Sequence, residues 1–320
     1  MSNKTEYFDF VKKNYIPIYS QPWWLDAICG EEHWDVWLYK KGNEVLAAMP
    51  YYFEDRNGYK YITKAPLTQN NGIIFHYSAN SKIQAKASFE EKVIDSMNEW
   101  LDDRSIDVYE QQYVHTFNNW QPFFWNGFKC IPRYTYIIED TSDMEIVKSN
   151  YSAKLRNDIK KGEKNTKIVG TLENEEFYRE HEKIFLKQGL QCPFSEDLWF
   201  RLYDACVKNN SGKTVCIYNH EDKISSLAFL VWDDKYVYLL MGGGIPELSY
   251  ENTFAFLVHK GIELASEMGK GFDFEGSMIK RIAKAFRDYG GVPTPYYRIR
   301  KIYNPEIIQM EADQEKNKLK

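Results

Sequence analysis

Asp273 and Glu275 stand two residues apart in Gly271-Phe272-Asp273-Phe274-Glu275-Gly276, a run bounded by glycines in which acid alternates with aromatic. The spacing predicts a strand, whose period of two turns both carboxylates to one side and both phenylalanines to the core. A carboxylate so placed can take a proton from an attacking amine, directly or through water. Its plainer use is to cap the following helix or to pair with an arginine. Arg287 follows in Phe286-Arg287-Asp288-Tyr289-Gly290-Gly291. Its guanidinium is charged at any relevant pH, so it can steady an oxyanion but cannot exchange a proton; an exposed helix arginine reads the same way. Gly242, Gly243 and Gly244 fall between a strand and a helix, and a loop is expected there. Glycine lets backbone approach a ligand closely, and free N–H groups at a helix start bind phosphate or carboxylate; a flexible turn after an edge strand is the alternative. Ser249 is a candidate cap for that helix.

A second group is basic. Lys154, Arg156, Lys160, Lys161, Lys164 and Lys167 crowd one segment, and Arg156, Lys160 and Lys164 share one helical face. Such a face can meet the phosphates of coenzyme A or of a tRNA acceptor stem, with Arg156 and Lys160 as the candidates, or can simply be solvated. Tyr250, Tyr296 and Tyr297 can orient a substrate through their hydroxyls. His115, His181, His220 and His259 have no metal-ligand spacing, so no metal site is expected. Neither a Ser–His–Asp nor a Cys–His motif stands out.

These groups need elements to hold them. Strands are expected at 35–39, 45–53 (after the turn Lys41-Gly42-Asn43) and 59–63. Phe89, Val93, Met97 and Trp100, with Ile94 and Leu101, give one apolar helical face. A strand at 106–109, a short helix at 122–125 and a strand near 133–138 complete the first half. The second opens with helices, the first buried through Leu155 and Ile159, the others near 173–187 and 195–207. Strands follow at 214–218, 224–231 and 236–241, then a helix carrying Phe254, Leu257, Val258, Gly261, Ile262, Ala265 and Met268. Gly269 and Gly271 stop it, and the strand with Asp273, a helix near 279–288 and a strand near 296–302 close the pattern. Both halves thus read as three strands, an amphipathic helix, a strand, a short helix and a last strand. Their endings share letters: Trp125-Asn126-Gly127 before Pro132-Arg133-Tyr134-Thr135-Tyr136-Ile137, and Tyr289-Gly290-Gly291 before Pro295-Tyr296-Tyr297-Arg298-Ile299. An internal duplication of about 140 residues is inferred.

The 320 residues accommodate two domains, expected at 1–140 and 141–302 with a polar tail at 303–320. With 43% hydrophobic and 27% charged residues the chain can bury a core and keep a polar surface; only 311–320 lacks an apolar period. No stretch has the ~18 apolar residues of a membrane span, and the N-terminus has no apolar signal region. Five scattered cysteines without a Cys-x-x-Cys spacing suggest neither a disulfide framework nor a zinc site, and a cytoplasmic location is expected. A net charge of −5 argues against DNA as a partner, though a local basic patch can hold one phosphorylated ligand. The aromatic content of 16% is assigned mainly to core packing, with stacking platforms for a sugar or nucleotide as the alternative.

The element order resembles that of GNAT acyltransferases, and its duplication in one chain resembles the Fem peptidyltransferases. Tyr238-Leu239-Leu240, the glycines and the helix reached through Tyr250-Glu251-Asn252 are similar to the family's strand–loop–helix segment. Gly271–Gly276 is similar to its Gly-x-x-x-Asp-Phe-x-Gly strand, Phe286–Gly291 to its Phe-Lys-x-x-Phe-Gly segment, and Tyr19-Ser20-Gln21-Pro22-Trp23-Trp24 to its opening motif. Ser152 and Arg156 sit where relatives carry a Ser/Arg pair ahead of a basic helix. The chain departs from the pattern in three places. Ile28 follows Trp24 with no nearby lysine to hold a nucleotide diphosphate, Arg287 replaces the lysine of the Phe-Lys segment, and the usual Gln/Arg-x-x-Gly-x-Gly/Ala pyrophosphate loop has no good match.

The resemblance implies an α/β protein of two tandem GNAT-type domains, each a mixed, mostly antiparallel sheet flanked by helices, the second with the more complete motifs. It implies an N-acyltransferase moving an acyl group from a thioester or ester donor to an amine such as an amino sugar or cell-envelope precursor. Asp273 or Glu275 would take the proton, Arg287 would steady the oxyanion, and Arg156, Lys160, Gly242, Gly243, Gly244 and Asn252 would hold the donor. Tyr250 and Tyr296 would orient the acceptor. The donor would be acetyl-CoA or another acyl-CoA, or else an aminoacyl-tRNA as in Fem enzymes, although tRNA is disfavoured by the net charge. A GNAT-fold binding module without turnover is the reading outside enzymes.

Overall fold

A computed structural model of the chain describes residues 2–187 and 189–318, with side chains through Asp313. The chain divides into two units, one made of the residues up to Arg133 together with those from Pro295 on, the other of Tyr134–Thr294.

The first unit begins with α1 (Asn3–Val11) and α2 (Pro22–Cys29), then β1 (Trp34–Lys41), β2 (Glu44–Arg56), β3 (Tyr59–Thr63) and the short β4 (Ile74–Phe75). Next come α3 (Ile83–Asp102), β5 (Val108–Gln112), α4 (Gln121–Trp125) and β6 (Lys129–Ile138), whose last residues belong to the other unit. β1 and β2 form a hairpin closed by Lys41 opposite Glu44, with Gly42 at φ +63° in the tip, a conformation glycine adopts without steric cost. α3 buries Val93, Ile94, Met97 and Leu101, the expected face, against Trp37, Met49 and Ile62 of the sheet. Burial of each such side chain is worth about 1.5–3 kcal/mol.

The second unit adds α5 (Met144–Ser149), α6 (Ala153–Asn165), β7 (Thr166–Gly170), α7 (Asn174–Leu186) and α8 (Glu196–Lys208), then β8 (Gly212–Asn219), β9 (Ile224–Trp232) and β10 (Tyr236–Gly244). α9 (Thr253–Glu267), β11 (Gly271–Gly276), α10 (Lys280–Asp288) and β12 (Val292–Ile302) follow, and α11 (Pro305–Lys318) ends the described chain within the first unit. Ser152 caps α6 and Ser195 caps α8 by accepting from the backbone N–H three residues on. α9 buries Leu257, Val258, Ile262 and Ala265 in a core shared with Leu230, Val237 and Phe272.

Each unit contains one mixed sheet. In the first, β1, β2 and β3 pair antiparallel, β3 pairs β5 in parallel, and the later half of β12 adds antiparallel to β5 from Arg298 to Ile302. In the second, β7, β8, β9 and β10 pair antiparallel, β10 pairs β11 in parallel, and β11 pairs the end of β6 antiparallel. The duplicated order read from the sequence is realised in both. Two features differ from expectation. β7 lies where only helices were expected; it is an edge strand whose Ile168 and Val169 are exposed, so its alternation carries little burial signal. The polar tail is helical, and it is tied down by buried Ile307 and by the Glu311 carboxylate, which accepts two hydrogen bonds from Arg300. Among the described residues no helix is long and apolar enough to cross a membrane, and no group of three His, Cys, Asp or Glu is placed to hold a metal ion.

Candidate active site

β10 is hydrogen-bonded to β9 from Val237 to Gly244, but to β11 only where Tyr236–Tyr238 meet Gly271–Asp273. A register shift falls between Leu239 and Met241 on β10, and another between Asp273 and Gly276 on β11, where Glu275 takes φ +61°. A bulge bends its strand and sharpens its twist. Here one sits on each strand just past the last paired residues, so the parallel strands part, and the edge of β10 from Leu239 to Gly244 is left without a β11 partner.

Asp273 is the residue at which the pairing stops. It is 5% exposed. Both of its hydrogen bonds fall on one oxygen: Thr135 donates its hydroxyl to Oδ1, and the Glu275 N–H donates to the same atom at 2.8 Å. Oδ2 has no hydrogen-bond partner among the described residues. Burial pushes the carboxyl up to about 7, against those two hydrogen bonds and with help from the charges of Glu139 and Asp233. These two acids are held nearby by Tyr236, which donates to Glu139, and by Tyr238, which donates to Asp233, each at 2.8 Å. Glu275 is partly buried and its carboxyl is also raised by desolvation. The bulge between them alters the simple alternation expected for the pair, and Glu275 occupies a left-handed conformation that side-chain-bearing residues seldom adopt.

Phe272 and Phe274 point the other way and are buried, Phe274 stacking on Phe286 of α10 at 5.1 Å and meeting Tyr289 at 5.4 Å. On this face a cavity of about 220 Å³ opens among α6, α9, α10 and β10, walled by Leu239, Phe254, Ala255, Val258, Phe286 and Tyr289. Lys154, Asp158 and Asp288 supply its charged lining. The cavity is mostly apolar and meets β10 at Leu239, the first residue past the pairing with β11, where the backbone N–H and C=O groups have no β11 partner.

The remaining expected residues are distributed as follows. Gly242, Gly243 and Gly244 are not a loop: they lie in β10 opposite Ala228, Leu227 and Ser226. For Gly242 and Gly243 the reason is close packing, since a Cβ on Gly242 would sit 2.6 Å from the Leu227 carbonyl and one on Gly243 3.1 Å from Ile184, whereas one on Gly244 would meet only ordinary contacts. Asn252, not Ser249, is the residue before α9, at φ +62°, and its side-chain amide donates to Asp158 at 3.1 Å. Its carbonyl packs on α6 so tightly that a Cβ on Gly162 would come within 2.5 Å. The start of α9 is therefore docked on α6 rather than left open as a phosphate cradle. Arg287 is exposed in the last turn of α10. Tyr250 is 62% exposed before α9, whereas Tyr296 is buried in the first unit's part of β12.

Arg156 and Lys160 do come together with other cations. They line a second cavity, of about 350 Å³, with Lys148 and Lys260. Arg156 donates to the Tyr151 carbonyl at 2.6 Å, and the Tyr151 hydroxyl meets His259 Nδ1 at 3.1 Å. His259 Nε2 lies 3.2 Å from Glu263, and burial lowers the imidazole, which is therefore neutral at pH 7. Lys148, Tyr151, His259 and Lys260 were not expected here. The i, i+4 spacing of His259 and Glu263 on α9 was the available signal.

No family model matches the sequence, and no curated protein matches it. Solved structures do match the fold. The crystal structure of FemX is 13% identical, superposes with a TM-score of 0.70, and is covered over 98% of its length by 97% of this chain. L-PGS from Bacillus licheniformis is 10% identical with a TM-score of 0.58, covering 97% of this chain and 95% of its own. A tandem GNAT protein from the clavulanic acid biosynthesis pathway is 8% identical with a TM-score of 0.50, covering 91% and 99%. The chain has the α/β fold of these tandem GNAT and Fem proteins.

Proposed function

We propose, from this shared fold and from the opening between β10 and β11, that the chain is an acyltransferase moving an acyl group from a thioester or ester donor to an amine. The observation that carries the reading is Asp273: a buried carboxyl at the parting of the strands, pushed up to about 7 by burial and anchored through Oδ1, with no partner for Oδ2 among the described residues. A general base works best with a pKa near the operating pH. In the reaction the amine nitrogen attacks the donor carbonyl carbon and loses a proton to Asp273 Oδ2. The tetrahedral intermediate collapses with cleavage of the carbon–sulfur or carbon–oxygen bond, and the proton passes to the departing thiolate or alkoxide. Arg287 and backbone N–H groups of β10 steady the oxyanion, Glu275 is the alternative base, and the donor chain occupies the cavity beside Leu239, on the face of the sheet opposite Asp273, with its carbonyl reaching the carboxylate through the opening between β10 and β11. An acyl-CoA donor, an amino sugar or envelope-precursor acceptor oriented by Tyr250, and a cytoplasmic location complete the proposal.

The chain's own residues bear on the donor. The apolar cavity and the free strand edge fit the chain of an acyl-CoA, but the docked start of α9 does not fit a diphosphate bound at its N–H groups. Arg156 and Lys160, with Lys148 and Lys260, line the other cavity, across the α6–α9 junction, and are proposed as a separate site for phosphate groups. The same cationic cluster, with the likeness to FemX, favours a second reading in which the donor is an aminoacyl-tRNA. Binding to tRNA that weakens steeply with salt would select it. Release of thiol from acetyl-CoA on addition of amines from a broad panel tests the first reading. If Asp273→Asn, Glu275→Gln and Arg287→Ala all keep full turnover, the assignment of the site is wrong.

A further inference from the structure

The first unit holds a cavity that acyl transfer does not use. It measures about 450 Å³, within the ~300–1,000 Å³ of small-molecule sites, and lies where β1, β2 and β3 meet the end of α3. Four aromatic side chains line it: Tyr51, Phe53, Tyr61 and Trp100. They are not all closed into the core, since Phe53 is 38% exposed and Tyr61 and Trp100 are half-buried. The guanidinium of Arg104 lies over Trp100 and that of Arg56 over Tyr61, each at 4.7 Å from the ring centre, which fixes the orientation of both rings.

The polar lining is mixed in sign. Asp35, Glu54 and Asp55 face Lys60 and Arg104. Tyr51 is 7% exposed, yet neither its hydroxyl nor that of Tyr61 has a hydrogen-bond partner among the described residues. Burial and the nearby Asp35 push the Tyr51 phenol up to about 12, with Arg104 opposing, so it remains a donor at neutral pH. A strongly charged ligand would be repelled by part of this rim. A neutral hydroxyl both donates and accepts, and so pairs equally well with carboxylates, phenols and a guanidinium. Flat aromatic faces beside such a rim complement a molecule with C–H faces and hydroxyl edges.

We infer that this cavity of the first unit is a binding site for a neutral saccharide, stacked on Trp100 and hydrogen-bonded by the hydroxyls of Tyr51 and Tyr61 and by Arg104 and Lys60. The test uses the full chain with N,N′-diacetylchitobiose, cellobiose and maltose as neutral probes, and choline and inorganic phosphate as charged ones, in saturation-transfer NMR and calorimetry. At least one saccharide is expected to bind saturably. Tyr61→Phe and Arg104→Ala, both on the open side of the cavity, should each weaken it about tenfold while leaving the unfolding temperature unchanged. Trp100→Leu should abolish binding, but because Trp100 also packs on Trp37 and Tyr51 it is read only alongside the two milder variants. Three results would overturn the inference: no saccharide binding up to tens of millimolar, binding unaffected by both milder variants, or binding of choline or phosphate in place of the sugars.

Discussion

Asp273 carries two consequences of one buried carboxyl, and asparagine separates them. If Oδ2 is the proton acceptor, Asp273→Asn lowers kcat by about 10²–10⁴-fold and removes the rise of activity with pH. In the native protein that rise should be centred near 7, because only the ionised carboxylate can act as base. The effect on stability has the opposite sign. A folded-state carboxyl raised to about 7 holds its proton where the unfolded one has lost it, so stability falls as pH rises from about 4 to 7. Asp273→Asn should therefore stabilise the fold at pH 8 by ~1–3 kcal/mol, seen as a higher thermal midpoint, and leave the midpoint nearly unchanged at pH 4. Thr135→Val tests the same carboxyl from its neighbour: loss of a hydrogen bond that favours the charged form should move the pH–activity midpoint above its native value. The two acids were legible from their glycine-bounded alternation with phenylalanine. Thr135 was not, being 138 residues away in the chain, nor was the left-handed Glu275, whose conformation is imposed by the bulge.

Between elements, the junction of α6 and α9 separates the two cavities of the second unit. It is held by Gly162 against the Asn252 carbonyl, by the Asn252 amide on Asp158, and by the Asn165 side chain donating to the Glu251 carbonyl at 3.1 Å. Gly162→Ala must push these helices apart, and a loss of ~1–3 kcal/mol in denaturant unfolding is expected, with weaker donor binding. Helix faces such as Val93–Met97–Leu101 and Leu257–Val258–Ile262 were readable because burial repeats at the helical period. The glycine run misled for a physical reason. Glycine marks close backbone approach as readily as a loop, and only the neighbouring Leu227 carbonyl and Ile184 show which applies.

Across the whole molecule, the duplicated order of elements was visible, but the route of the chain between units was not. The residues from Pro295 on rejoin the first unit, where Arg298–Ile302 complete its sheet beside β5 and Glu311 binds Arg300. Periodicity reports what a strand looks like and is silent about which sheet it joins. A chain truncated after Thr294 should accordingly lose the ordered first unit, seen as rapid proteolysis within 1–133 while 134–294 persists.

Thermal unfolding with saturating acetyl-CoA, coenzyme A or aminoacyl-tRNA tests the central claim most directly when native protein is compared with Ala285→Trp. Ala285 lines the cavity beside Leu239 from the exposed side of α10, so tryptophan there should fill the cavity without entering the core. Donor at 100 times its Kd adds about 2.7 kcal/mol, a shift of several degrees for units of this size. The account predicts that shift for at least one donor class in the native protein and its loss in Ala285→Trp. No shift with any donor, or an equal shift in both proteins, would contradict it.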